Sequence, residues 1–342
     1  MEMKFLTPGP VQLPKKVIEA TARQPEFHRI DEFRKTLRRV LDNLTKVYKG
    51  IPIIAPGTGT FAVDAAIYNY IDPGEEVVAI VHGEFGERMS EAAKSRGAKV
   101  YELRYRIHPP PPDVVEDFVK KLKNVKAITV VHNETSVGVT NRYLDKLQKI
   151  AEGLGAILIV DSVSALPAEP IRHRVDVVAT ATQKAFMAPP GGAIIYINVE
   201  PRAKSPIPPS MSLRKFIERL DKADPPYTPP INVIYGLDAA LEIILDMGIE
   251  TYHELHKQKA ELLYKSLKLK PVAEEPLRSY TVTAFYADKP TDIINELKKH
   301  GYVIAGGMGE LKNNTIRIGV MGDISVEDLK KVIEVVNSLV DR

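Results

Sequence analysis

Residues 180–192 read T-A-T-Q-K-A-F-M-A-P-P-G-G and lie between two apolar, strand-like runs. Four small or polar residues precede Lys184, and a Pro-Pro-Gly-Gly turn follows, so the amine is carried on a short, stiff connection. A lysine held in this way is a candidate for covalent chemistry. Composition alone favours an ordinary solvated side chain, because the chain holds 47 Lys and Arg residues. A reactive lysine also needs an anion site, a carboxylate partner and a substrate clamp, and the other polar clusters decide between the two readings.

Four such clusters sit at the ends of apolar runs. Gly57 to Thr60, G-T-G-T, follows a strand-like run and precedes a helical one. Glycines let the backbone approach an anion, and the first-turn N–H groups point at it; the same residues also serve as a plain turn and N-cap. In H-G-E-F-G-E-R, residues 82–88, Phe85 between two glycines can lie against a flat ligand or cover the sheet edge as core. In V-V-H-N-E-T-S-V-G, residues 130–138, Asn133, Glu134, Thr135 and Ser136 follow a buried run and would face a cleft or solvent. Asp161 in I-L-I-V-D-S-V-S is the first charge after a buried strand, so it needs a cationic or hydrogen-bonding partner. A fifth group, I-R-I-G-V-M-G-D from residue 316, places Arg317 on the opposite strand face from Ile316 and Ile318. Its fork can hold a carboxylate or form a surface ion pair. His28 and Arg29, in F-H-R-I-D-E-F, interrupt the first helical pattern as a helix-cap region or a second clamp.

The elements that must position these residues alternate. Strand candidates are 51–55, 76–81, 99–103, 127–131, 157–160, 175–179 and 193–197, with helical candidates at 61–70, 85–96, 113–122 and 143–154 between most of them. This predicts an α/β domain with a mostly parallel sheet, whose ligands collect beyond the carboxyl ends of the strands. Two helical stretches, 14–23 and 30–48, precede it; in the second, Phe33, Leu37, Val40, Leu41, Leu44 and Val47 form one apolar face. A proline-rich stretch, 200–230, carries a helical piece at 213–220, and 231–269 reads as a long helix broken near Gly248. The runs 279–286, 292–300, 302–305, 315–319 and 326–339 then read as a small α+β domain. The expected division is an N-terminal arm (1–15), a large domain (16–235), and a bridging helix with the small domain (236–342).

Composition narrows the function. The 342 residues, 44% hydrophobic, suffice for two cores, and a net charge of +3 without long single-sign blocks lacks the footprint of a nucleic-acid binder. The absence of cysteine excludes thiolate metal sites, disulfides and cysteine-dependent sulfur transfer. With neither a signal peptide at the N-terminus nor an apolar run of about 18 residues, the expectation is a cytoplasmic protein that binds small molecules and no metal.

Taken in this order, the motifs resemble the class V aminotransferases of the fold type I pyridoxal-phosphate enzymes, in the alanine-glyoxylate and serine-pyruvate group. The resemblance runs from T-P-G-P at Thr7 to R-I-G-V-M-G at Arg317. It implies a three-layer α/β large domain with a smaller α+β C-terminal domain, pyridoxal 5'-phosphate as cofactor, and a homodimer that completes its sites across the interface. By resemblance, Lys184 forms the Schiff base, Asp161 pairs with the pyridine nitrogen, and Phe85 stacks on the ring. Gln183 and Thr135 lie beside the cofactor, Thr58, Gly59 and Thr60 hold its phosphate, and Thr228 reaches the neighbour's phosphate. Arg317 and Gly9 contact substrate. A tyrosine common three residues before that threonine is replaced by Pro225, with Tyr227 as the candidate substitute; A-L-P-A at residues 165–168 and Val320 also depart from the pattern. The implied reaction is transamination from alanine or serine to glyoxylate or pyruvate. Aspartate or phosphoserine donors, a lyase on the same fold, and a non-catalytic subunit are the alternatives.

Overall fold

The computed structural model describes residues 3–341. Seven strands form the central sheet: β1 (Ile51–Pro56), β2 (Glu76–Val81), β3 (Lys99–Arg104), β4 (Val125–Val131), β5 (Ile157–Asp161), β6 (Val177–Ala181) and β7 (Gly192–Ile197). Their spatial order is β1-β7-β6-β5-β4-β2-β3. Only β7 runs against its neighbours, pairing antiparallel with β1 and β6, so the carboxyl ends of the other six share one edge. Buried on both faces, the central strands are near-continuous runs of Val, Ile and Ala. Helices Gly59–Tyr70 and Glu84–Ser95 cover one face; Asp31–Val47, Leu144–Leu154 and Ile231–Met247 cover the other.

The sixth strand begins two residues later than its apolar pattern predicts. The Val175 amide is taken by the Tyr48 hydroxyl at 2.7 Å, and the Asp176 carboxylate accepts from Leu158 N and Gln148 Nε2 at 3.0 Å each. The apolar run therefore starts before the ladder does. The predicted strand 302–305 is split: Tyr302–Val303 pairs with Lys4–Phe5, and Ala305–Gly306 pairs with Thr315–Gly319.

Helix Ile231–Met247 packs Ile234, Leu237, Leu241 and Ile244 into the same core as Phe33, Leu37 and Val40, so residue 235 lies within a helix that serves the large domain. The chain turns at Gly248, φ +85°, into helix Ile249–Ser266, which sends Ala260 and Leu263 into the small-domain core. That second core lies under the three-stranded sheet of Val282–Tyr286, Thr315–Gly319 and Ala305–Gly306, backed by Pro290–Lys299 and Val326–Val340. A polar seam joins the domains: buried Glu169 accepts from Thr140 Oγ1, Arg142 Nη1 and Tyr280 N, each at 2.7 Å. Among the described residues, no helix is long and apolar enough to cross a membrane.

Candidate active site

A cavity of about 750 Å³ opens at the carboxyl edge of the sheet. The β6–β7 connection carries Lys184 into it. Thr182 pins that turn: its amide donates to Gly192 O (3.1 Å), its carbonyl accepts from Ala188 N (3.0 Å), and its hydroxyl accepts from Gly192 N (3.2 Å). The Lys184 Nζ donates to Pro8 O at 2.6 Å, so the N-terminal arm lies directly over the amine. Gly9 makes this approach possible; with φ +119°, a Cβ there would lie 2.3 Å from Lys184 Cδ. Burial lowers the amine to about 8, Asp161 opposes the shift, and the positive fields of Arg317 and Arg88 add to it.

Asp161 ends β5 and is itself buried. Burial raises its carboxyl to about 7 against the pull of the Val163 N–H, which donates to Oδ1 at 2.9 Å; the charge of Glu134 pushes it up further. Behind it, His132 Nδ1 lies 2.9 Å from Ser162 Oγ, both buried. Gln183 presents a buried Oε1 that has no hydrogen-bond partner among the described residues. Thr135 lines the cavity, and its carbonyl accepts from Arg317 Nη1 at 3.2 Å.

Two helices that begin at this edge of the sheet line the cavity, and their first turns differ. In Glu84–Ser95, Ser136 Oγ takes the Glu84 amide (3.1 Å), and Glu134 Oε2 takes those of Phe85 (3.1 Å) and Gly86 (3.0 Å). The Glu87 amide donates to Gly83 O, which leaves no spare donor. In Gly59–Tyr70, Thr58 makes no side-chain cap, and the amides of Gly59, Thr60 and Phe61 have no acceptor among the described residues. Gly59 brings this open end close to Asp161, since a Cβ there would lie 2.6 Å from the methyls of Val163. An anion therefore has one vacant cradle here, at Thr58 to Thr60.

Arg317 stands on the middle strand of the small domain with its guanidinium turned toward the large one. Nε donates to Gly306 O at 2.8 Å and Nη1 to Thr135 O; no protein acceptor is found for Nη2 among the described residues. Burial lowers its pKa, and Glu134 opposes this. It does not line the cavity itself; its field reaches Lys184 from the rim.

Most of the residues singled out from sequence converge here: Gly9, Thr58, Gly59, Thr60, Phe85, Asn133, Thr135, Asp161, Gln183 and Lys184 all line one cavity. Thr228 does not, being exposed in the proline-rich segment away from this chain's own cavity. Tyr227, also exposed, places its hydroxyl 3.1 Å from Lys215 Nζ. Arg29 is committed to the Asp224 carboxylate, which Arg34 and Arg219 share, and to Pro225 O at 2.8 Å. Neither His28 nor Arg29 borders the cavity. Sequence reasoning missed Arg88, which lines the cavity with its guanidinium carbon 4.7 Å from the Phe85 ring centroid. Its signal was the i, i+3 spacing from Phe85 on a helix. It also missed the Pro8 carbonyl and the role of Glu134 at the helix end.

The donor set suits pyridoxal 5'-phosphate: an open helix N-terminus for the phosphate, an aromatic face for the ring, a buried carboxylate short of a cation for a protonated ring nitrogen, and a depressed amine for the carbonyl. The unpartnered Gln183 oxygen is a further polar atom that a bound polar group would satisfy.

Comparison with known proteins agrees with this chemistry. The family described as aminotransferase class-V matches residues 8–332. A Methanocaldococcus jannaschii protein named as an uncharacterized aminotransferase is 32% identical over 93% of this chain and 87% of its own. The serine–glyoxylate aminotransferase of Methylorubrum extorquens is 28% identical over 94% of this chain and 87% of its own. The crystal structure of a subgroup IV aspartate aminotransferase from Thermus thermophilus superimposes with a TM-score of 0.89 at 28% identity, covering 99% of both chains. The chain belongs to the class-V aminotransferase family, as a transaminase that works with pyridoxal 5'-phosphate.

Proposed function

We propose that this transaminase moves the amino group of alanine or serine to glyoxylate or pyruvate, with Lys184 as the covalent anchor of the cofactor and the mover of the substrate proton. The observation that carries the assignment is a buried amine lowered to about 8 in the same cavity as a buried carboxyl raised to about 7, beside an open helix end. The serine–glyoxylate relative supports the choice of a small donor and a 2-oxo acid.

When bound, the cofactor supplies an electron sink for the carbanion formed at the substrate α-carbon. The residues divide the remaining work. Lys184 Nζ, whose pKa of about 8 leaves a fraction of the amine unprotonated at physiological pH, takes the α-proton and returns it elsewhere. Asp161 holds a proton on the ring nitrogen, because a carboxylate desolvated this strongly gains most from a cationic partner. Thr58, Gly59 and Thr60 hold the phosphate, Phe85 stacks on the ring, and Gln183 and Thr135 supply polar edges. Arg317, with Nη2 uncommitted, binds the α-carboxylate and so orients the bond to be broken. Gly9 and Pro10 line the cavity beside Lys184 and bound the substrate there.

The active form in this reading is a cytoplasmic homodimer. The exposed Thr228, which does not line its own chain's cavity, then serves the partner's phosphate site.

Mixed with pyridoxal 5'-phosphate, the protein should develop a visible absorbance band that borohydride removes, with the reduced label mapping to the peptide of Lys184. Lys184→Ala should lose both. A panel of amino donors should convert the bound cofactor to its amine form, alanine or serine fastest, with release of the matching 2-oxo acid. A label on another lysine would refute the anchor, and release of ammonia in place of amine transfer would make the enzyme a lyase.

A further inference from the structure

The carboxylate of Glu134 is completely buried and is committed to one task. One oxygen accepts the amides of Phe85 and Gly86 at 3.1 and 3.0 Å; the other accepts the Ser136 hydroxyl and amide. The Ser136 hydroxyl oxygen in turn accepts the Glu84 amide. Every N-terminal donor of helix Glu84–Ser95 that its own backbone leaves free is thus satisfied from residues 134 and 136, in a hairpin from another part of the sheet edge. Glycine at position 83 is what admits the carboxylate, since a Cβ there would lie 2.5 Å from Glu134 Cδ.

This helix carries Phe85 into the cavity. The adjoining peptide of the same hairpin gives its Thr135 carbonyl to Arg317, so one short segment grips both the aromatic wall and the arginine of the other domain. We propose that Glu134 is a positioning residue of the active site: its carboxylate clamps the first turn of the helix that bears Phe85 and thereby fixes the ring against the cavity. The second part of this inference rests on Phe85 stacking on the cofactor; the clamp itself does not.

Charge-assisted hydrogen bonds of this kind shift an opening equilibrium by roughly tenfold to a hundredfold. In the apoprotein, Glu134→Ala should accelerate hydrogen exchange at the Phe85 and Gly86 amides by about that factor, with later amides of the helix little changed. Glu134→Gln, which keeps an acceptor of the same reach, should retain most of the protection. In the loaded enzyme, the visible circular dichroism of the bound cofactor should change in Glu134→Ala and recover in Glu134→Gln, with kcat falling more than KM rises. If Glu134→Ala does not fold, Ser136→Ala carries the test, through faster exchange at Glu84 and a smaller dichroism change of the same sign. Unchanged exchange at all three amides overturns the clamp. Faster exchange with unchanged dichroism overturns the positioning role. Loss of the borohydride-reducible band from the unmodified protein would remove the cofactor reading and leave the exchange result standing.

Discussion

Replacing Asp161 with asparagine should make the apoprotein more stable while removing its activity. Burial raises the carboxyl from 3.8 to about 7, so the folded state binds its proton more tightly than the unfolded chain does. Between those two values the native state holds more protons than the unfolded state, and stability falls as pH rises. Below pH 4 the group costs nothing; above pH 7 the full penalty is present, about 4 kcal/mol at 1.36 kcal/mol per pH unit. Asparagine carries no charge to desolvate, and its Oδ1 can still accept from Val163 N. Part of the gain is returned, because Asp161 favours the charged form of Lys184 and its loss leaves that amine with two arginine fields and no counter-charge. We expect a net gain of about 2–4 kcal/mol at pH 8, shrinking toward zero at pH 4. The measurement is urea unfolding of cofactor-free protein, native and Asp161→Asn, at half-unit intervals from pH 4 to pH 9. A stability difference independent of pH, or an Asn variant weaker at pH 8, would refute the claim that this carboxyl is held desolvated. On the proposed pairing of Asp161 with the ring nitrogen, transaminase activity should fall at least about a hundredfold, the worth of a charge-assisted bond.

Two further substitutions probe the phosphate cradle and the carboxylate clamp. Gly59→Ala would drive a methyl to 2.6 Å from Val163 and pry the helix end away, so the affinity of apoprotein for pyridoxal phosphate, titrated by absorbance, should drop at least about tenfold; unaltered affinity would place the phosphate elsewhere. Arg317→Lys keeps the charge but loses the fork that reaches Gly306 O and Thr135 O while leaving Nη2 for the proposed substrate carboxylate. The KM for the amino donor should rise about 10- to 100-fold with cofactor binding preserved, and an unchanged KM would show that another group holds the carboxylate.

The residues legible in the sequence were those whose role follows from a strand end. Asp161 and Thr135 terminate or follow buried strands, Lys184 lies between two, and the carboxyl edge of a parallel sheet gathers such positions by topology alone. Contacts made by backbone, or between distant segments, left no such mark. Nothing in T-P-G-P announces that its second residue will offer a carbonyl to a lysine 176 positions later. Arg317 could be put on a strand face by its alternation with isoleucines, but which carbonyls would hold it depended on how two domains meet. The start of β6 was misread by two residues because a tyrosine hydroxyl outcompeted the ladder for one amide. Gly248 and Glu134 show two degrees of legibility: the helix break was visible as a glycine, whereas the clamp needed the hairpin to be brought against a helix about 50 residues earlier.

The two helix N-termini explain why one site can hold both an anionic cofactor and an arrangement that costs the protein stability. An open helix end attracts any anion, its own carboxylates included, and a fold with two of them side by side would bind a phosphate in either. The chain resolves this by filling one end permanently with Glu134 and leaving the other, at Thr58 to Thr60, without even a side-chain cap. The uncapped turn, the buried Lys184 amine and the reluctant carboxyl of Asp161 each weaken the empty protein, and on the proposed assignment the same ligand would relieve all three. Binding the cofactor should therefore add more stability than its contacts alone would give, since it also removes burial penalties that the apoprotein carries.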